Sequence, residues 1–469
     1  MSTSGRFSDW SPTRLIGASG LGAHALLWLA LWSSIASGPG NIVGEKEGLA
    51  EWLNAVRASM PLVVLALWFV LRPMQSGRVG GLNAGLVMWA AYGSLLLFSS
   101  FQYSHWFAYG YWALAYLGVM AAIDITVGSG SASRAVDMVR LNWILATGML
   151  ILMLFLARDV LLVESKLGLT AYNLDVRAGV RGGIPISKTS GLARMAIVPA
   201  VVGFVLMLRS TGMMKVLGGA VFLGAAMMIW FFQSRQGIFG MAFALGFVMV
   251  ALGGSTRILG IATMTVMGAL LFAGLLPDEV VDYVARYATR GEGLAAFESM
   301  TGRDVLWRLG WRAVEDSPWI GYGPEADRRI LLQNASNGLL YAGMCAGYPG
   351  AALYLGGLIW GWVLFARAYV QRMSWRAEER DFLVQLGGVM AFLTLRNGVE
   401  NTASFYSVDL LLHAPIIACL GVLLREHRRR GAGAGAWGAA LVPGGGAVGG
   451  AGVGGRLAPA AVRESRGAS

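Results

Sequence analysis

Residues 15–36 read LIGASGLGAHALLWLALWSSIA, an apolar run without Asp, Glu, Lys or Arg. A helix rises 1.5 Å per residue, so about 20 such residues cross a hydrocarbon core about 30 Å thick. The run is too long for the core of a cleaved secretory signal and lacks a convincing cleavage site. It therefore reads as a first spanning helix. Outward from it, apolar runs of similar character recur at 53–71, 82–101, 107–126, 141–157, 191–208, 214–232, 237–252, 257–276, 339–366, 382–395 and 406–424. The pattern predicts an all-α, polytopic membrane protein of about twelve transmembrane helices, with one large loop at 277–338.

Composition agrees with that reading. The chain is 56% hydrophobic and 13% charged, whereas soluble domains carry about 25% charged residues. The formal charge of +11 would suggest a nucleic-acid partner in a soluble protein. Here the cations lie in short loops between apolar runs, where they report membrane topology, and no nucleic acid is expected. Counted over short loops, one side holds seventeen Lys and Arg, among them Arg72, Arg209 and Arg425. The other side holds four: Lys46, Arg57, Arg235 and Arg396. The positive-inside rule then puts both termini in the cytoplasm and the loops at 158–190 and 277–338 outside. The excess of arginine over lysine and the abundance of glycine and alanine fit a bacterial source, so the outside is the periplasm.

Residues 1–430 form the transmembrane domain in this reading, with the periplasmic loop 277–338 inserted in it. The Gly/Ala-rich stretch 431–469 cannot bury a core and is expected to be a disordered cytoplasmic tail. Within the loop, Val280, Val281, Val284 and Tyr287 share one helical face, as do Leu306, Leu309, Gly310 and Ala313. Two amphipathic helices are predicted there, followed by a turn-rich segment at Pro318, Gly321, Gly323 and Pro324. Internal repeats of the kind many transporters show are absent. Cys345 and Cys419 fall in apolar runs and offer neither disulfide nor metal-ligand spacing; no metal and no cofactor is expected.

Three arginines stand out on the outer side. Arg235 lies in a tight turn, Gln233-Ser234-Arg235-Gln236-Gly237. Arg303 begins the second amphipathic helix, and Arg194 lies just inside the sixth run. Taken alone, Arg235 and Arg194 also read as cations reaching for headgroups, and Arg303 as a solvated residue at a helix start. Together they converge on one membrane side at similar depth. A guanidinium stays charged at biological pH and grips phosphate oxygens bidentately, so such a cluster suits an anionic lipid-linked substrate.

Four short motifs carry a resemblance: Ser234-Arg235 followed by Gly237; Thr301-Gly302-Arg303 followed by Trp307; Asp316-Ser317-Pro318-Trp319-Ile320-Gly321-Tyr322-Gly323; and Asn337, Leu340, Gly347 and Gly350. In this order the chain resembles the O-antigen ligase and O-antigen polymerase superfamily of bacterial inner-membrane glycosyltransferases. The segment Ser187-Lys188-Thr189-Ser190-Gly191-Leu192-Ala193-Arg194 is similar to one found in exopolysaccharide polymerases. The likeness covers about residues 185–360. It implies transfer of a glycan from undecaprenyl pyrophosphate, in the periplasmic leaflet, to an acceptor hydroxyl without metal or nucleotide sugar. Arg235 and Arg303 would hold the pyrophosphate, with Arg194 assisting. Membrane lipid surrounds the site, and a flippase and a chain-length regulator are the partners such an enzyme would have.

The chain departs from the family at one position. Where ligases place a histidine before the asparagine matching Asn337, this chain has Ser336, and a serine hydroxyl is no base near neutral pH. The four histidines, His24, His105, His413 and His427, read better as packing, interfacial or cytoplasmic residues. Glu325 and Asp327 in the loop, and Glu400 in Arg396-Asn397-Gly398-Val399-Glu400-Asn401, are the carboxylates that remain. Glu400 beside Arg396 reads either as an ion pair or as the group that orients or deprotonates the acceptor. Glu325 and Glu400 are therefore catalytic candidates with Arg235 and Arg303. Arg194, Trp307, Trp319, Asn337 and Arg396 are substrate-binding candidates, the two indoles as stacking faces for sugars. The reading favoured is a polysaccharide polymerase. The alternatives are an O-antigen ligase acting on lipid A–core and, in a different class, a flippase of lipid-linked sugars.

Overall fold

The structure is a computed structural model. It describes residues 21–35, 38–43, 47–74, 81–128, 131–156, 189–231, 235–271 and 303–440. Among these every regular element is helical. The helices are α1 (Leu21–Ser33), α2 (Gly40–Val43), α3 (Leu49–Met74), α4 (Ala84–Ser100), α5 (Trp106–Ile123), α6 (Ala132–Leu156), α7 (Thr189–Arg209) and α8 (Gly212–Phe231). They continue with α9 (Arg235–Leu252), α10 (Thr256–Leu271), α11 (Arg303–Asp316), α12 (Ala326–Ile330), α13 (Gly338–Val370), α14 (Ala377–Asn397) and α15 (Val408–Ala440).

A helix lies at each of the twelve expected spans. Among the described residues seven have the length and hydropathy to cross a membrane, and four more are shorter apolar helices. The chain is thus an all-helical, multi-pass membrane protein. Helices dominate because lipid offers backbone N–H and C=O groups no partner, so each span must satisfy them internally. Of the two helices expected in the long loop, the one over 278–287 lies outside the described residues. The second is α11. The expected tail is described only as far as the helical stretch that ends α15.

The helices pack within the unit Met1–Glu426, while His427–Ser469 forms a second unit. Helices α14 and α15 run through the core: Leu386, Phe392, Leu410, Ile416 and Leu420 are fully buried. The pair Gly357 and Gly361 sets two close approaches. A Cβ on Gly357 would strike the Trp89 ring of α4, and one on Gly361 would press on Ile417 of α15. Both glycines therefore serve packing inside the chain, where small residues let helices draw together.

One helix is not continuous. In α13, Ala346 and Gly347 leave helical geometry, Gly347 with φ 64°. Pro349 follows and has no N–H to give the Cys345 carbonyl one turn earlier. The segment after α11 fills the gap. Tyr322 N–H donates to Met344 O at 2.8 Å and Gly323 N–H to Cys345 O at 2.8 Å, while Tyr348 N–H donates to Pro318 O at 2.8 Å. Broken backbone of this kind survives in an apolar bundle only where protein groups replace the lost bonds. The Pro318–Gly323 motif is therefore a plug docked into α13.

That plug is anchored from a second side. Ser99 Oγ donates to Ile320 O at 2.6 Å, Gln102 Nε2 to Gly321 O at 3.1 Å and Tyr103 OH to Tyr322 O at 2.9 Å. The Arg329 guanidinium lies over the Tyr103 and Tyr109 rings at 4.4 and 4.2 Å. It also donates to Tyr322 O and, at 3.1 Å, to Pro324 O. The turn between α4 and α5 and the segment 317–330 thus form one cap on one end of the bundle.

Candidate functional site

At that end four helices contribute to a partly buried polar chain. Arg194, on the first turns of α7, donates to Asp409 Oδ2 at 2.7 Å. Asp409 begins α15 and is wholly buried; Arg194 is 16% exposed. On its other oxygen Asp409 meets Arg396 Nε of α14 at 3.5 Å. Arg396 NH1 donates to Gln236 Oε1 at 3.1 Å, and Gln236 Nε2 donates to Glu400 Oε1 at 2.9 Å. Two guanidiniums and two carboxylates therefore alternate through one amide. The buried charges of Asp409 and Arg396 cost several kcal/mol each unless paired, and the alternation supplies that pairing.

A second network docks the cap onto the same end. Asn337 caps α13, its Oδ1 accepting from Leu340 N–H at 2.9 Å. Its backbone N–H donates to Asn401 Oδ1 at 3.2 Å and its Nδ2 to Gly398 O at 3.2 Å. Asn401 Nδ2 donates to Asp327 Oδ2 at 2.7 Å, which also accepts from Ala335 N–H at 3.0 Å. Burial pushes the Asp327 carboxyl above its ordinary value, and the donors from Ala335, Asn401 and Arg328 partly offset the rise. Below them Asn397 Oδ1 accepts from Tyr354 OH at 2.7 Å and Thr402 Oγ1 at 2.6 Å.

The other predicted site residues fall as follows. Arg235 is the first residue of α9 and directly precedes Gln236. Arg303 is the first residue of α11, one turn before Trp307. The Trp307 indole donates to Ala335 O at 3.1 Å, which fastens that turn of α11 beside Ser336 and Asn337. Glu325 adopts φ 60° and accepts from Arg328 NH1 at 2.9 Å. Trp319 is 75% exposed at the outside of the plug. Arg194, Arg396 and Glu400 are thus brought into one chain, Asn337 meets the segment that carries Glu400, Trp307 is tied to Ala335, and Glu325 and Trp319 stand apart from it. Ser336 takes φ 51°, a conformation in which a non-glycine residue is uncommon.

The histidines lie elsewhere. His24 meets Arg134, and His413 is buried with its ring edge-on to Trp89. His105 lines a separate cleft of about 350 Å³ with Pro39, Val43 and Trp106. Among the described residues no group of three or more His, Cys, Asp or Glu side chains is arranged to hold a metal ion.

Sequence reasoning missed Gln236, Asp409 and Asn401, and noted Asp327 only as one of the loop carboxylates. Asp409 carried a usable signal, since a carboxylate at the mouth of an apolar run calls for a named partner. Gln236 was visible only as a neighbour of Arg235.

Residues 219–355 match the O-antigen ligase family. The stretch runs from α8 through α9, α10 and the cap into α13, so it includes Arg235, Arg303, the plug and Asn337. The resemblance to the O-antigen ligase and polymerase superfamily is borne out over that stretch, and with it a ligase- or polymerase-type function in general. No curated protein matches the chain.

Proposed function

We propose that the chain polymerises polysaccharide repeat units carried on undecaprenyl pyrophosphate at the outer face of the bacterial plasma membrane. Both termini would be cytoplasmic, so the end capped by α11 and the plug faces the periplasm. A flippase would supply its substrate from the cytoplasmic leaflet.

In this reading the Arg235 and Arg303 guanidiniums hold the donor pyrophosphate. Glu400 takes the proton from a sugar hydroxyl of the acceptor repeat. That oxygen bonds to the anomeric carbon of the donor glycan, the bond from that carbon to the pyrophosphate oxygen breaks, and undecaprenyl pyrophosphate leaves. Charge developing on the leaving group needs cations close by, and guanidiniums, charged at biological pH, would supply them. Trp307 borders the acceptor side, and Trp319 offers an exposed sugar-stacking face. Arg194 and Arg396 add positive potential through their shared aspartate. Glu325, engaged with Arg328, is the less direct base.

The observation that carries the reading is the alternating chain Arg194–Asp409–Arg396–Gln236–Glu400. It ends in a carboxylate that reaches the residue next to Arg235. The test is chain lengthening by purified protein on lipid-linked repeat units, read as product length on a gel. Arg235→Ala and Arg303→Ala should each abolish lengthening; unchanged product length would refute the clamp.

One observation favours a second reading, ligation to lipid A–core: the family matched over 219–355 is described as O-antigen ligase. Ser336 in place of the ligase histidine weighs the other way. Offering both acceptors to the same preparation separates the two.

A further inference from the structure

The sequence reading left Gln236 without a role, yet both of its amide atoms are committed. Its Oε1 faces Arg396 NH1 at 3.1 Å, and its Nε2 faces Glu400 Oε1 at 2.9 Å. A guanidinium can only donate and an ionised carboxylate can only accept. The network therefore sets which way round the amide lies. Glutamine is the side chain of this length that offers an acceptor to one charge and a donor to the other while adding no charge itself.

Each end of the bridge is fixed differently. The Arg396 end is rigid: its side chain is 3% exposed and shares the wholly buried Asp409 with Arg194 of α7. Glu400 lies beyond the end of α14, in the segment that leads to α15. A carboxylate on such a segment has rotamers to spare. Productive proton transfer needs the acceptor oxygen within hydrogen-bond reach of the hydroxyl it serves.

We propose that Gln236 is a positioning residue that transmits the rigidity of the Arg194–Asp409–Arg396 ion triad to the Glu400 carboxylate. It holds one carboxylate oxygen and leaves the other for the acceptor hydroxyl. The inference rests on Glu400 being the base in the proposed polymerase. Gln236 touches no reacting atom in this scheme. Its loss misaims the base and leaves donor and acceptor binding intact.

The experiment uses full-length protein in nanodiscs and lipid-linked repeat units isolated from a strain lacking the gene. Gln236→Ala should lower kcat about 10- to 100-fold, the scale of a misplaced catalytic group, with KM for the lipid-linked repeat unchanged. Gln236→Glu keeps an acceptor for Arg396 but removes the donor to Glu400; it should lose kcat equally, and it serves if Gln236→Ala misfolds. The exchange Gln236→Glu with Glu400→Gln restores a bonded chain, since the new amide donates to the new carboxylate. That double variant should melt like the wild type and stay inactive, whereas a merely structural bridge would regain activity. Full kcat in Gln236→Ala or Gln236→Glu, with Glu400→Gln inactive, overturns the positioning role alone. Activity retained by Glu400→Gln removes the base itself, and the inference falls with it.

Discussion

Gly321 and Gly347 meet where the plug enters the break in α13: a Cβ on Gly321 would lie 2.6 Å from the Gly347 nitrogen. Both take positive φ, 69° and 64°. A Cβ on Gly347 would lie 2.4 Å from Pro318 O. The two glycines thus fulfil one requirement from opposite sides, a backbone-to-backbone contact that leaves no room for side chains. Through that contact the cap is registered on α13 and, by way of Asn337, on the segment that carries Glu400.

Gly321→Ala and Gly347→Ala should each destabilise the protein by about 2–5 kcal/mol, combining left-handed backbone strain with overpacking. Gly224→Ala is the control: nothing lies within 4 Å of the added methyl. It sits inside helix α8, so it should gain about 0.5–1 kcal/mol. Thermal unfolding in detergent, followed by tryptophan fluorescence, separates the two behaviours. Equal melting temperatures for all three variants would contradict the account of the plug.

The helices were legible in the sequence, and the break was not. Runs such as 82–101 and 237–252 correspond to Ala84–Ser100 and Arg235–Leu252, because a span must satisfy its own backbone and its hydrophobicity is local. The break at Gly347 was not seen, since its replacement bonds come from residues 318–323, distant in sequence. The site divides along the same line. Arg194 and Arg396 drew notice as rare cations beside apolar runs. Their shared partner Asp409 stands 215 residues from Arg194, and no local pattern records such a pairing. Trp319 suggested a binding face by type alone, and the fold leaves it on the outside of the plug.

Asp409 is the hinge of the buried charges. Asp409→Ala leaves two guanidiniums facing each other at a site 3–16% exposed. Breaking a buried pair by removing one partner costs about 3–5 kcal/mol. The expected outcome is poor yield of folded protein and a large fall in melting temperature. Arg194→Met removes one of the two cations and leaves Asp409 with Arg396, so its loss should be distinctly smaller. Equal losses would show that the two arginines do not share the carboxylate.

Arg329 ties several carbonyls of the plug to one ring face in the turn between α4 and α5, Tyr103, and one on α5, Tyr109. Lysine keeps the charge but loses the planar fork and the stacking. Arg329→Lys should therefore cost about 1–2 kcal/mol. The loss should localise, so that limited proteolysis within 317–330 accelerates before global melting changes much. Unaltered cleavage there would count against the clasp.

Asp327 gives the cap a pH dependence whose sign follows from burial. Burial holds its folded-state carboxyl above the ordinary value of 3.8, so the folded chain binds that proton more readily than the unfolded chain. Its contribution to stability is present in full below about pH 3.8. It is lost as pH rises through the raised value and is constant above it. Asp327→Asn removes the titration and should flatten that part of the curve. The substitution has its own cost. Oδ2 accepts from Ala335 and Asn401, and Oδ1 accepts from Arg328 N–H at 2.9 Å. An amide can keep only one of these oxygens, which leaves a buried donor facing an NH₂ group at about 1–3 kcal/mol. Melting temperatures between pH 3.5 and 7 should show the variant below the wild type throughout, by a margin that narrows as pH rises. A margin that widened with pH would mean that the ionised carboxylate is the form the fold prefers.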